Sequence, residues 1–217
     1  MFKRYIYTIF GVVLLFIVYA LTLLPILAVR TTLANKELIF ALILWGIGAG
    51  IFFMPALATI IKKVWFFPGR GEPVVQELLL SMIMGVNALN APVQVKKHRK
   101  KLVITWRYKD QAWCERMEKS GMKKLYELWL SFDNNTKTVT LTDKFRSVNW
   151  SLGPGRVKTG WLASSRPIFK VATGNEWGVE NYEDTEPDDY AFGPEEIKGP
   201  IMNTILKNGW NVRFSLF

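Results

Sequence analysis

Histidine and cysteine are almost absent from this chain: His98 and Cys114 are the single representatives of each among 217 residues. A lone cysteine forms no intramolecular disulfide, which excludes a stapled secreted module and favours a reducing compartment. Ser-His-Asp and Cys-His chemistry needs a histidine as proton shuttle. His98 is embedded in Lys96-Lys97-His98-Arg99-Lys100-Lys101, and nothing in the sequence sets Cys114 or a serine beside it. One histidine and one cysteine also make no zinc site. No catalytic residue, metal site or cofactor is expected, and the balance leans away from an enzyme.

Charge is the second scarcity, and it is local. No charged residue occurs from Tyr5 to Leu27 or from Leu38 to Ile61. A helix needs about 20 apolar residues to cross a bilayer core, so both runs are long enough. The short connection from Val29 to Glu37 makes them antiparallel neighbours. The spacing predicts helices over about 5–28 and 38–61, forming a transmembrane hairpin over 1–67. Pro25 falls near the end of the first helix and Pro55 in the last third of the second, where membrane helices tolerate them. Lys3, Arg4, Lys62, Lys63 and Arg70 flank the hairpin, against Arg30 and Lys36 in its loop. This bias puts both termini in the cytoplasm, in a plasma (bacterial inner) membrane, with Trp65-Phe66-Phe67 at the interface. A cleaved signal peptide ending near Thr32-Leu33-Ala34 is the competing reading, but the first run is too long for a signal core. No charge inside either span also argues against a proton relay or ion path. Gly46 and Gly50 lie one turn apart, a spacing that lets helices approach closely. They serve packing against the first helix or self-association into a homo-oligomer.

After the turn-rich linker 68–73 the composition becomes that of a globular domain, 74–217. Val74 to Leu89 reads as a helix that packs on the domain or lies in the membrane interface. Alternation predicts strands at Leu102–Tyr108, Tyr126–Phe132, Thr138–Thr142, Phe145–Ser151, Arg166–Thr173 and Trp210–Leu216, with a β-hairpin turn at Asp133-Asn134-Asn135-Thr136. A short helix is expected at Ile201–Lys207, opened by Pro200 and closed by Gly209. The fold class is therefore an α+β membrane protein: an N-terminal two-helix hairpin, then a soluble, mainly antiparallel β domain, sheet or small barrel, with flanking helices.

Other motifs fall short. Gly153-Pro154-Gly155-Arg156-Val157-Lys158-Thr159 lacks the glycine that a phosphate loop needs before its lysine. Asp184, Glu186, Asp188 and Glu195 have the spacing of a calcium loop, but Asp189 stands where glycine is required and Pro194 precedes the last ligand position. A solvated acidic loop is the simpler expectation. Seven tryptophans beyond residue 100 serve as core or, if they line a barrel mouth, as a ligand pocket.

Charge segregation is more informative. Lys96, Lys97, Arg99, Lys100 and Lys101 form a basic block, whereas Glu176 to Glu196 carries nine acidic residues and no basic one. The block is a solvated turn, or it binds acidic lipid headgroups or phosphates near a negatively charged leaflet. Aromatics are not interleaved with it, so nucleic acid is not an expected partner.

The order of parts resembles the bacterial anti-phage effectors that join a two-helix membrane hairpin to a small nucleotide-binding β-barrel. The resemblance concerns architecture and no motif. It implies a ligand-gated effector in which a phosphate-bearing ligand drives oligomerisation and membrane perturbation. The residues themselves point first to a membrane-anchored, non-enzymatic binding or scaffold protein that recognises a partner protein or an anionic lipid headgroup.

Overall fold

The structure, a computed structural model, describes residues 2–150, 158–169, 171, 178–182 and 192–216. It divides into two units, Met1–Trp65 and Phe66–Phe217.

The first unit holds α1 (Phe2–Ala28) and α2 (Asn35–Val64), both long and apolar enough to cross a membrane. Glu37 caps α2 by accepting from the Ala34 amide at 3.2 Å, and Lys62 and Lys63 occupy its last turn, the favourable end for cations. The helices meet through side chains at several levels. The Trp65 indole is fully buried, donates to Thr8 Oγ1 at 3.0 Å and stands edge-on to Tyr5 at 5.1 Å. Trp45 donates to Thr22 Oγ1 at 3.1 Å. A Cβ on Gly11 would lie 2.9 Å from Ile60 Cγ2, so the close helix approach is at this glycine.

The second unit is a seven-stranded mixed sheet with helices against it. Its elements are β1 (Phe66–Phe67), α3 (Gln76–Gly85) with a 3₁₀ turn over Val86–Ala88, β2 (Val93–His98), β3 (Lys101–Trp106), α4 (Gln111–Lys119), β4 (Lys124–Asp133), β5 (Thr138–Asn149), β6 (Lys158–Ser165), a 3₁₀ turn over Val179–Tyr182, α5 (Pro194–Lys207) and β7 (Asn211–Ser215). The strand order is β1-β7-β5-β4-β3-β2, and β6 pairs with the far half of β5. Among the described residues the sheet does not close into a barrel.

Alternation works as expected on the core side. Val93, Val95, Leu102, Ile104, Trp106, Leu128, Leu130, Val139, Leu141, Val212 and Phe214 are all buried, one strand position in two. α5 lies wholly buried from Ile197 to Leu206. α3 buries Leu79 and Ile83, so this helix packs on the domain. The Asn87 side chain pairs with both backbone groups of Val95 at 2.8 Å, covering part of the β2 edge.

The sheet is mainly antiparallel, as expected, with one parallel pairing, β7 to β5 (Thr138↔Asn211 to Thr142↔Ser215). Several other expectations are corrected. Thr138–Thr142 and Phe145–Ser151 are not two strands but the single β5. The two runs join through Asp143 and Lys144, and the Asp143 carboxylate is taken up by Lys198, 55 residues on. Residues 166–169 are not a strand, and 170, 172 and 173 lie outside the described residues; the strand here is Lys158–Ser165. α5 starts at Pro194 rather than Pro200. Pro200 cannot donate to the Glu196 carbonyl, and the Tyr182 hydroxyl does so instead at 2.8 Å. Gly209 does close α5, in a Schellman motif made by the Trp210 and Gly209 amides. α4 was not foreseen; Asp110 caps it and Gly121 ends it in the same motif.

Candidate functional site

The basic block is a β-hairpin. His98 pairs with Lys101, leaving Arg99 and Lys100 as a two-residue turn. Arg99 sits at φ 55°, a conformation a glycine adopts at less cost. The two-residue period of the strands then divides the block. Lys96 and Lys101 lie on the outer face of the sheet, away from α5. Lys97, opposite Leu102, lies on the α3 side. The five cations are thus not one patch.

Register extends the outer face across the sheet. One row runs His98, Lys101, Ser131, Thr140, Arg213, Phe66; the next runs Lys96, Val103, Trp129, Thr142, Ser215; a third runs Gln94, Thr105, Glu127, Lys144, Ser165. Arg146 follows two residues beyond Lys144 on the same face. Five permanent cations therefore share this face with one carboxylate, Glu127.

Trp129 is the centre of the arrangement. Its indole donates to Glu127 Oε2 at 3.0 Å. The Lys144 ammonium sits 3.9 Å above the ring, and His98 approaches edge-on at 5.4 Å. Glu127 is already committed, because Arg146 Nε lies 2.8 Å from its other oxygen; Arg146 also donates to the Gly160 carbonyl at 2.7 Å. Lys96 lies 5.4 Å from the Tyr108 ring centre. Partial burial pulls the Lys96 and Lys144 ammonium groups below the ordinary lysine value. Lys109 adds to the effect on Lys96, Lys101 and Arg146 to that on Lys144, and Glu127 opposes both. The Glu127 hydrogen bond holds the Arg146 guanidinium above its usual value. Glu127, the one carboxylate among them, is shared with Arg146, so an anion on this face would add counter-charge to the lysines.

A cleft of about 420 Å³ opens beside this ring, lined by His98, Arg99, Lys100, Lys101 and Trp129. A second, of about 330 Å³, lies on the other side of the hairpin tip and takes in Gln76 and Leu80 of α3, Lys97 and Phe132.

Gly46 and Gly50 are placed elsewhere, on α2, with nothing within 4 Å of an added Cβ. They do not pack on α1, which corrects the intramolecular reading of this pair. Asp184, Glu186, Asp188 and Asp189 lie outside the described residues, as does most of Gly153–Thr159. Among the described residues no group of three or more His, Cys, Asp and Glu could hold a metal ion. Burial raises the Cys114 thiol above its usual value, with Glu118 and Glu115 adding to the effect.

The most deeply buried ion pair among the described residues was not singled out from the sequence. Lys198 and Asp143 form a solvent-free pair, 2.6 Å apart. Lys198 also donates to the Ile168 carbonyl at 2.6 Å and lies 3.7 Å from the Phe214 ring centre. Asp143 accepts from Tyr126 Oη at 2.5 Å and from the Ile168 amide at 2.8 Å. Desolvation lowers Lys198 below its ordinary value, with Asp143 opposing. Burial and then Asp143 push Tyr126 well above the usual phenol value. Every polar atom is used and no face is open, so this cluster fastens β4, β5, β7 and α5 together.

Comparisons with protein-family models, with curated proteins and with solved structures each found no match. The functional reading therefore rests on the geometry above.

Proposed function

We propose that this chain is a membrane-anchored, non-enzymatic binding protein. Its hairpin spans the plasma membrane with both termini cytoplasmic, and its β domain holds a phosphate-bearing group on the outer sheet face. The observation that carries the reading is the group of cations on the outer face around Trp129, with Lys144 over its ring and Glu127 already paired to Arg146. A group of this size, beside one cleft, suits a small polyanion better than the extended surface of a partner protein. The phosphate has two possible sources, an anionic lipid headgroup or a soluble ligand, and both present the same oxygens to Lys96, Lys101 and Lys144.

The test is calorimetric titration of the full chain in neutral detergent, with pyrophosphate in one arm and monomeric short-chain phosphatidylglycerol in the other. Lys96→Gln/Lys101→Gln/Lys144→Gln should weaken the productive arm at least tenfold. The preferred arm identifies the source. Equal binding by the triple variant in both arms, or no binding by the parent chain, overturns the proposal.

A second reading draws on the open surroundings of Gly46 and Gly50. Ligand capture would drive self-association through this face of α2 and perturb the membrane. An oligomeric state and a membrane permeability unchanged by pyrophosphate would rule it out.

A further inference from the structure

Outside the first unit, the exposed large apolar side chains among the described residues are Phe66, Val75 and Leu78. Val75 is 63% exposed and Leu78 44% exposed. They stand three residues apart at the start of α3, Val75 at its N-cap and Leu78 about 100° around the helix from the buried Leu79. The first turn of α3 thus buries Leu79 on the domain while Val75 and Leu78 beside it stay exposed, which its packing on the domain does not explain.

Charge lies next to this edge. Gln76 and Leu80 share their cleft with Lys97, Arg99, Lys100 and Lys101 of the hairpin tip. The β4–β5 turn, with Lys137, is at the same end of the sheet, since Lys101 pairs with Ser131 and Thr138 with Asn211. Arg70 is fixed there too, its amide donating to the Leu206 carbonyl at 2.8 Å. Among the described residues the acids at this end are Glu72, Glu77, Asp133 and Glu180; Asp133 is occupied by the Asn135 and Thr136 amides and the Thr136 hydroxyl, and Glu180 by Lys207 at 2.8 Å. Exposed apolar side chains bordered by an excess of cations form the chemistry of a bilayer-contact surface.

The covalent chain supplies the third argument. One residue, Trp65, separates α2 from β1, so β1 begins within about 7 Å of the helix end by chain length alone. A domain tethered so shortly meets headgroups at high effective concentration.

We propose that the α3 edge Val75/Leu78 and the hairpin tip Arg99/Lys100 dock onto an anionic bilayer surface, the membrane that holds the chain's own hairpin. This surface shares the hairpin tip with the cleft beside Trp129 and adds the α3 edge on the other side of that tip, and the proposal rests on the hairpin spanning the bilayer. Docking brings Val75 and Leu78 into the headgroup layer.

The test uses the full chain, with Cys114→Ala, in nanodiscs. An environment-sensitive fluorophore is attached at Leu78→Cys or, as a control on α4 at the opposite end of the sheet, at Gln111→Cys. The position-78 probe should shift to the blue when phosphatidylglycerol replaces phosphatidylcholine and return when salt is raised. The position-111 probe should not move. Removing Arg99 and Lys100 as glutamines should weaken docking about 30-fold, from about fivefold per cation. Identical spectra for both probes in both lipids overturn the docking surface. Extraction of the chain by alkaline carbonate overturns the spanning reading instead, so the two failures are told apart.

Discussion

The Lys198 ammonium and the Asp143 carboxylate meet at 2.6 Å with 0% and 1% of their side chains exposed, in the middle of an otherwise apolar layer. Such a pair is weak evidence of net stability, because desolvation offsets attraction, but breaking it strands a charge. Lys198→Met is expected to cost about 3–5 kcal/mol in urea unfolding. Adding Asp143→Asn should recover part of that loss. The amide oxygen still accepts from Ile168, its NH2 faces the Tyr126 hydroxyl oxygen, which can accept, and the site carries no charge. A double variant less stable than Lys198→Met would contradict this view of the cluster.

Tyr126 shares that carboxylate, and its phenol is raised above the ordinary value of 10.0 by burial and by Asp143. A raised group contributes stability that is fully present below about pH 10 and lost as pH climbs through its folded value. Lys198, held low, acts in the opposite sense, gaining stability as pH rises toward 10.5. Absorbance at 295 nm therefore isolates the tyrosine better than melting does. One tyrosine should ionise only when the chain unfolds, and Tyr126→Phe should remove that late step.

Arg99 occupies a left-handed position, φ 55°, in a two-residue hairpin turn. Arg99→Gly should raise domain stability by about 0.5–1 kcal/mol in thermal melts. The same change should weaken contact with anionic lipid. A loss of stability would show that the turn is not strained.

Gly11 and Gly50 make opposite expectations within the helical hairpin. A side chain at Gly11 meets Ile60, so Gly11→Leu should lower the melting temperature in detergent. Gly50→Leu should leave the melting temperature unchanged, since nothing stands near its Cβ. Equal losses from both would place Gly50 in the helix–helix contact.

Much of this architecture was legible in the sequence because it depends on period and length. The two helices follow from uncharged runs, and the hairpin Tyr126–Phe132 with Thr138–Thr142 from alternation around an Asp-Asn-Asn-Thr turn. What was not legible depends on tertiary partners. The break between Thr142 and Phe145 closes only when Lys198 is brought to Asp143, and Pro200 reads as a helix start until Tyr182 satisfies the carbonyl it frees. β2 escaped notice because half of it is the basic block. The same is true of the candidate site. Lys96 and Lys101 were singled out, but Trp129, Glu127, Lys144 and Arg146 join them only through cross-strand register, which a linear reading leaves open.

The most direct test of the central claim follows Trp129 itself. The full chain, with 5-fluorotryptophan incorporated and the position-129 resonance assigned through Trp129→Phe, is titrated in detergent with pyrophosphate and with short-chain phosphatidylglycerol while ¹⁹F spectra are recorded. If the outer sheet face holds a phosphate-bearing group, the Trp129 resonance moves saturably with one of the two and stays fixed in the Lys96→Gln/Lys101→Gln/Lys144→Gln variant. A Trp129 resonance that stays still while both ligands are raised to saturating levels would contradict the account.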